Sequence, residues 1–250
     1  MLGDLVLKLA RALTAAAPPP PALPYLGMDR PTDTGFHLLD GLAARGIFRK
    51  YEVVLDVGAG LGSSARWLAA RRGCEVVATA TPEEAAVARA LTRRTALAAQ
   101  VRHLAAAPEA LPVAAARFTH VWIVEALPCC AEAAAALAEA RRALRPGGTL
   151  AVQDLVRAEG AGQVAVPGWR FASLDTRLAE IAAAGFVDVE VRDVSAQASE
   201  RQARVSAART LFAERAAAAG LGALVAARAA LAAARAAGNL RVVQILARRP

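Results

Sequence analysis

Gly58, Gly60 and Gly62 recur at every second position in VVLDVGAGLGSSARWLAARRGCEVV (residues 53–77), between an apolar run and an arginine- and alanine-rich run. Glycines placed this way let the chain turn sharply, with positive φ where the turn demands it. They also let a ligand reach bare backbone, where a helix start offers unpaired N–H groups. The spacing is G-x-G-x-G. The dinucleotide fingerprint is G-x-G-x-x-G, and Ser63 stands where its third glycine would be. Asp56 lies two residues before Gly58, near the end of the apolar run. A carboxylate there repels a pyrophosphate but tolerates a zwitterionic amino-acid group. The chemistry indicated is capture of a nucleoside that carries such a group.

The flanking segments must position that turn. YEVVLDVG reads as a short buried parallel strand, and a helix follows over about 63–72. CEVVATA is a second strand. The next helix has Thr81 as N-cap, Pro82 at its first position and two acids after it. VRHLAA, RFTHVWIVEAL and GTLAVQDLV are the third to fifth strands. AEAAAALAEARRALRPGG is a helix expected to end at Pro146-Gly147-Gly148, and SLDTRLAEIAAAGF is one closed by Gly185. VDVEVRDV is a sixth strand, helices are expected around 200–218 and 221–236, and NLRVVQILARR is a last strand. An earlier helix is expected over about 36–45. Strands alternating with helices imply an α/β fold with a mostly parallel sheet covered on both faces.

At the N-terminus, Leu2, Leu5, Val6, Leu9 and Leu13 fall at helical spacing, and a proline segment follows. We expect residues 1–24 to be an amphipathic cap helix with a proline-rich linker, and residues 25–250 to be one domain. Asp4, Lys8 and Arg11 interrupt the apolar stretch, which argues against a signal peptide.

The 250 residues carry a formal charge of +8, nearly all from arginine, but aromatics are only 4%. No basic block is interleaved with aromatics, so no nucleic-acid footprint is expected. No apolar run is long enough for a membrane span, so no integral membrane contact is expected. Cys74, Cys129 and Cys130 include two adjacent residues and no CxxC. That pattern argues against a disulfide framework or a metal site and fits a reducing cytoplasm.

VLDVGAGLG resembles motif I of the class I S-adenosylmethionine-dependent methyltransferases, and the resemblance runs on through EALPVAAARFTHVWIVEAL, EARRALRPGGTLAVQDL and LAEIAAAGFVDVEVRDVS. The nearest types are methyltransferases of quinone biosynthesis, of sarcosine and dimethylglycine, and of polyketide tailoring. The resemblance implies a Rossmann-like sheet of seven strands, the last antiparallel. It implies S-adenosylmethionine as cofactor, S-adenosylhomocysteine as product, and a small-molecule acceptor. Asp56, Gly58, Ala59, Gly60 and Gly62 then line the cofactor's amino-acid end. Tyr25 either closes over the cofactor or packs in the core.

The chain also departs from the family pattern. The acid that ends the second strand, which receives the ribose hydroxyls, is replaced by Thr79. A neutral bond there is worth about 1 kcal/mol against roughly 1.5–3 for a charged one. Ala107 stands at the position of the acid that meets adenine, with Glu109 as a weak substitute, and Thr119-His120 replace the acid before the fourth strand. These changes leave open a weakly binding or repurposed protein: a cyclase-type enzyme or an inactive partner subunit. A homo- or heterodimer is compatible with either.

On the acceptor side, Glu125 is expected near the transferred methyl group, as general base, amine anchor or cofactor contact, against a purely structural role. Cys129 takes roughly the place of a histidine found in relatives, as a catalytic or a packing residue. Gln153 and Asp154 end the fifth strand on the same sheet edge. Trp169 and Phe171, in a glycine-rich segment, would line a lid over a planar or lipophilic acceptor. A base is needed only for an acceptor that must lose a proton.

Overall fold

The computed structural model describes residues 34, 36–46, 51–204 and 222–250. The expected cap helix and linker at 1–24, Tyr25, and most of the helix expected at 200–218 lie outside the described residues.

Seven strands form one sheet among the described residues: β1 (Val53–Asp56), β2 (Glu75–Ala80), β3 (Val101–Ala105), β4 (Phe118–Val124), β5 (Leu144–Arg157), β6 (Val187–Asp193) and β7 (Leu240–Arg248). Their spatial order is β3-β2-β1-β4-β5-β7-β6. The first five are mutually parallel, whereas β7 runs antiparallel to both β5 and β6. This is the α/β, mostly parallel architecture expected. Strand order reverses beside β1, with β2 on one side and β4 on the other. The crevice outside the carboxyl ends of those strands is where sheets of this kind bind ligands.

The helices are α1 (His37–Gly46), α2 (Ser63–Arg72), α3 (Pro82–Arg93), α4 (Ala133–Ala143), α5 (Leu174–Ala183), α6 (Ser195–Arg204) and α7 (Gly222–Ala236). Alternation along each strand divides the core between the two faces. Leu55, Val121, Ile123 and Val152 pack with Leu137 of α4 and Ile181 of α5. Val54, Trp122 and Leu246 pack with Leu39 and Leu42 of α1 and Trp67 and Leu68 of α2. The rings of Trp67 and Trp122 are 6.3 Å apart, and Phe36 stacks on Trp67 at 6.4 Å. Few aromatics are present, and three of them, Phe36, Trp67 and Trp122, meet in this layer.

Local chemistry explains the element boundaries. The Thr81 hydroxyl accepts the Glu84 N–H while the Glu84 carboxylate accepts the Thr81 N–H, a complete capping box with Pro82 behind it. Helix α2 ends at Gly73 in the left-handed conformation, its N–H bonded to the Ala69 carbonyl. One boundary differs from expectation. Helix α4 stops at Ala143, before Pro146-Gly147-Gly148, because Leu144 is already extended and pairs with Phe118 of β4. The strand ladder captures the segment that the proline and glycines were expected to terminate.

Strand β6 is the sheet edge beyond β7, and its Val187, Val189 and Val191 are each more than a third exposed. Facing side chains of β5 alternate in the same way. Gln153 points to the α1 face, and Asp154 points to the α5 face, where its carboxylate accepts from Arg177 Nε at 2.7 Å. Burial pushes the Asp154 carboxyl up to about 6 even though Arg177 opposes the shift.

Candidate cofactor and acceptor site

The backbone after β1 turns through three left-handed glycines, Gly58 at φ 68°, Gly60 at 54° and Gly62 at 78°. Two of them are also required by contact. A Cβ on Gly58 would lie 2.5 Å from the Ala126 Cβ, and one on Gly62 would lie 2.4 Å from His103 Cε1. At Gly60 the nearest atom to such a Cβ is Glu84 Oε1, 3.9 Å away. The turn is therefore packed at its ends and open in its middle.

Interlocking bonds hold it in place. The Asp56 carboxylate, buried at the end of β1, accepts the Ser64 hydroxyl at 2.6 Å. The Ala59 N–H meets the Thr79 carbonyl at 2.7 Å, and the Gly58 N–H meets the Thr79 hydroxyl at 3.3 Å. Thr79 is completely buried, so its placement supports the turn from below. His103 packs against Gly62 and bonds Thr92 at 2.8 Å. Burial first, then Arg66 and Arg89, lower its pKa to about 3, so it is a neutral packing ring. Replacing Gly62 with Ala should destabilise the fold by roughly 1–3 kcal/mol through forced left-handed strain, with the clash at His103 added. Chemical denaturation of the variant measures this, and an unchanged midpoint would contradict it.

A carboxylate not singled out in the sequence completes this side. Glu84 caps α3, and its side chain comes over Gly60. Its charge is also felt at the Cys129 thiol, across the crevice. The signal that could have found it is the capping box, which turns the residue three past Thr81 back toward the strand end.

Glu125 lies immediately after β4, is 4% exposed, and has a positive φ of 58°. For a residue with a Cβ this costs about 1–2 kcal/mol. Its N–H bonds the Gln153 carbonyl at 2.6 Å. Its Oε1 accepts from Gln153 Nε2 at 2.6 Å and from the buried Thr34 hydroxyl. Ala126, next in the chain, is the residue packed on Gly58. Asp56 therefore lies at the start of the glycine turn, Glu84 over its middle, and Glu125 just before the residue packed on Gly58.

Cys129 ends a short 3-10 turn, Leu127–Cys129. Although the residue reaches solvent, burial around the sulfur, then Cys130 and the carboxylates of Glu84, Asp154 and Glu125, push its thiol up to about 12. A thiolate nucleophile needs the opposite surroundings, so here Cys129 contributes shape. Ala107 is exposed in the loop after β3, where its carbonyl accepts the Ala110 N–H at 3.1 Å. Glu109 turns away to accept the Glu132 N–H at 3.1 Å. Thr119 and His120 open β4 at the amino ends of the strands, opposite the glycine turn. There the Thr119 hydroxyl donates to the Val53 carbonyl, and His120 sits 3.4 Å from Glu52. The departure at Thr119 therefore does not touch the crevice.

A cleft of about 550 Å³ opens beyond β5, lined by Arg157, Val164, Val166, Trp169, Arg170 and Phe171. Trp169 and Phe171 stack at 5.8 Å. Arg170 fastens this segment to the turn after β4. Its N–H bonds the Pro128 carbonyl at 2.7 Å, and its guanidinium bonds the carbonyls of Cys130, at 2.8 Å, and Ala131.

Residues 55–152 match the family described as a methyltransferase domain. Over 104 residues the chain is 36% identical to methyltransferase GfsG of Streptomyces halstedii, a match covering 41% of this chain and 37% of that protein. The chain therefore spans well under half the length of this curated relative. The fold is shared with the crystal structure of the [4+2]-cyclase SpnF, at TM-score 0.74 and 24% identity over 100% of this chain and 94% of the other. It is also shared with phosphoethanolamine N-methyltransferase 2 of Haemonchus contortus, solved with S-adenosylhomocysteine, at TM-score 0.72 and 19% identity over 86% and 53%. The glycine turn after β1 falls within the matched segment, and that segment, with the seven-stranded sheet around it, is similar to a methyltransferase domain.

Proposed function

We propose that the protein transfers a methyl group from S-adenosylmethionine to a small-molecule acceptor bound in the cleft beyond β5. The observation that carries this reading is the left-handed glycine turn after β1, with Asp56 ahead of it, Glu84 over Gly60 and Glu125 one residue before the Ala126 that packs on Gly58. Negative charge beside bare backbone attracts a cationic ligand and repels a pyrophosphate. S-adenosylmethionine carries a sulfonium and an ammonium group. The N–H groups and shape of the turn suit its amino-acid end, with Asp56 beneath. Glu84, over Gly60, supplies the carboxylate that Thr79 cannot.

When bound, the cofactor supplies an electrophilic methyl group whose bond electrons return to sulfur as the acceptor atom takes the carbon. What the chain adds is mostly position. Glu125, directly after β4, accepts the proton that a hydroxyl, enol or carbon acid gives up as it is methylated. Trp169 and Phe171 offer an apolar, planar surface, and Arg157 offers a cationic end. An acceptor with a flat or lipophilic body and an anionic group fits that lining. A second reading keeps the fold and the cofactor but omits methyl transfer. The likeness to a [4+2]-cyclase over the whole chain favours it.

Calorimetric titration with S-adenosylmethionine, S-adenosylhomocysteine and NADH tests the cofactor. We expect roughly micromolar affinity for the first two and none for NADH. Absence of binding to either sulfur compound would overturn the proposal. Binding without labelled-methyl transfer to any of a panel of phenols, enols, amines and carboxylates would favour the second reading.

A further inference from the structure

Glutamine is a costly residue in the middle of a central strand, because each buried amide needs partners for an oxygen and two N–H bonds. Two such glutamines occur here. Gln153 of β5 and Gln244 of β7 are 0% and 2% exposed and lie directly opposite each other in the antiparallel ladder. With Glu125, whose N–H bonds the Gln153 carbonyl, they form a polar row across three neighbouring strands. Arg45, from α1, completes it on the same face.

The bonds in this row run one way. Arg45 Nη2 donates to Gln244 Oε1 at 3.2 Å, Gln244 Nε2 donates to Gln153 Oε1 at 3.0 Å, and Gln153 Nε2 donates to Glu125 Oε1 at 2.6 Å. The ends dictate this direction. A guanidinium can only donate and a carboxylate can only accept, so neither amide can be flipped without facing like against like. The side bonds agree. The Gln244 amide also donates to the Leu38 carbonyl at 2.7 Å, and the Gln153 amide to Thr34 Oγ1 at 3.3 Å. Both amide dipoles therefore point their positive ends toward Glu125, and aligned bonds of this kind strengthen one another.

We propose that Arg45, Gln244 and Gln153 are positioning residues that hold the Glu125 carboxylate fixed after β4, tying it to the charge of Arg45 through two amides. The row rests on the reading of Glu125 as the proton acceptor, and it specifies what keeps that acceptor in working form. Such support matters there, since the backbone that carries Glu125 is left-handed, at φ 58°.

Infrared difference spectra and kinetics of the full chain test this together. The Glu125 bands are identified by subtracting the Glu125→Gln spectrum, at neutral pH, in the wild type and in Gln244→Met and Arg45→Met. We expect sharp Glu125 bands in the wild type, and bands shifted and broadened by the lost hydrogen-bonded row in both variants. Turnover should fall about tenfold or more in each, while S-adenosylhomocysteine affinity and acceptor KM stay within about twofold. Arg45→Lys, which keeps a charged donor, should retain the wild-type bands. Identical Glu125 bands in wild type, Gln244→Met and Arg45→Met would overturn the proposal, whether or not the protein methylates. Should Gln244→Met fail to fold, Arg45→Met alone decides, because Arg45 is only partly buried, on α1 outside the sheet. A wild type that binds no cofactor yet shows the band change would end the methyl-transfer reading and leave the row standing.

Discussion

Glu125→Gln is expected to lower kcat by about 10²–10⁴-fold for a proton-bearing acceptor while leaving S-adenosylhomocysteine affinity nearly unchanged. The substitution is close to isosteric. Its amide oxygen can still accept from Gln153 Nε2 and from the Thr34 hydroxyl. The left-handed backbone at this position is no worse for Gln than for Glu. What disappears is the capacity to accept a proton. Single-turnover transfer of a labelled methyl group separates that loss from product release. Acceptor choice provides an internal control. An acceptor already ionised, such as a thiolate, needs no base, and the variant should methylate it at close to the wild-type rate. Equal turnover by both proteins on a phenol or enol would reduce Glu125 to a structural residue. A general loss on every acceptor, with weakened cofactor binding, would make it a cofactor anchor instead.

Arg177→Met is expected to destabilise the protein by about 3–5 kcal/mol at neutral pH, the largest stability effect of any change considered. Arg177 is 1% exposed and pairs with Asp154, which is completely buried, and with Glu180 at its other edge. Removing the guanidinium leaves the Asp154 carboxylate in an apolar layer with only the Leu155 N–H at 2.9 Å. The pH dependence gives a sharper test. Burial already raises the Asp154 carboxyl from 3.8 to about 6 in the folded protein. A carboxyl raised on folding contributes stability that is present below its unfolded value and is lost as pH rises through the folded value. Without Arg177 the folded value moves higher still. The penalty should therefore grow from pH 5 to pH 8, as the unfolded chain releases a proton that the folded variant must keep. Asp154→Asn on the same background should recover much of the loss at pH 8 and little at pH 5. A penalty independent of pH would show that lost packing dominates.

Both results bear on how polar groups are arranged in this sheet. Glu125 and Gln153 on one face, and Asp154 on the other, are close along the chain or across a ladder, yet they serve different ends. Alternation along β5 sends Gln153 into the row with Gln244 and Arg45, and Asp154 to Arg177. One face joins a carboxylate to two amides after β4, and the other pairs a carboxylate with a guanidinium within the core.

Contiguous features were determined by the sequence itself. The glycine turn with Asp56 ahead of it, the capping box at Thr81, and the alternation of apolar strands with helices each arise from residues within a turn or two of one another. Local backbone preference and hydrophobic period are enough to specify them and the mostly parallel sheet their order implies, whereas the antiparallel last strand came from the family resemblance. Local spacing could not say which polar side chains meet. Thr79 stands where an acid was expected, but strand packing buries it under Gly58, and the helix cap brings Glu84 over Gly60 in its stead. Thr119 looked like part of the same site and lies at the opposite edge, because its strand has to run its full length before reaching the crevice. The row from Arg45 to Glu125 joins residues up to 199 positions apart. Only the register of β5 against β7, set by the burial of their apolar neighbours, places those two glutamines face to face.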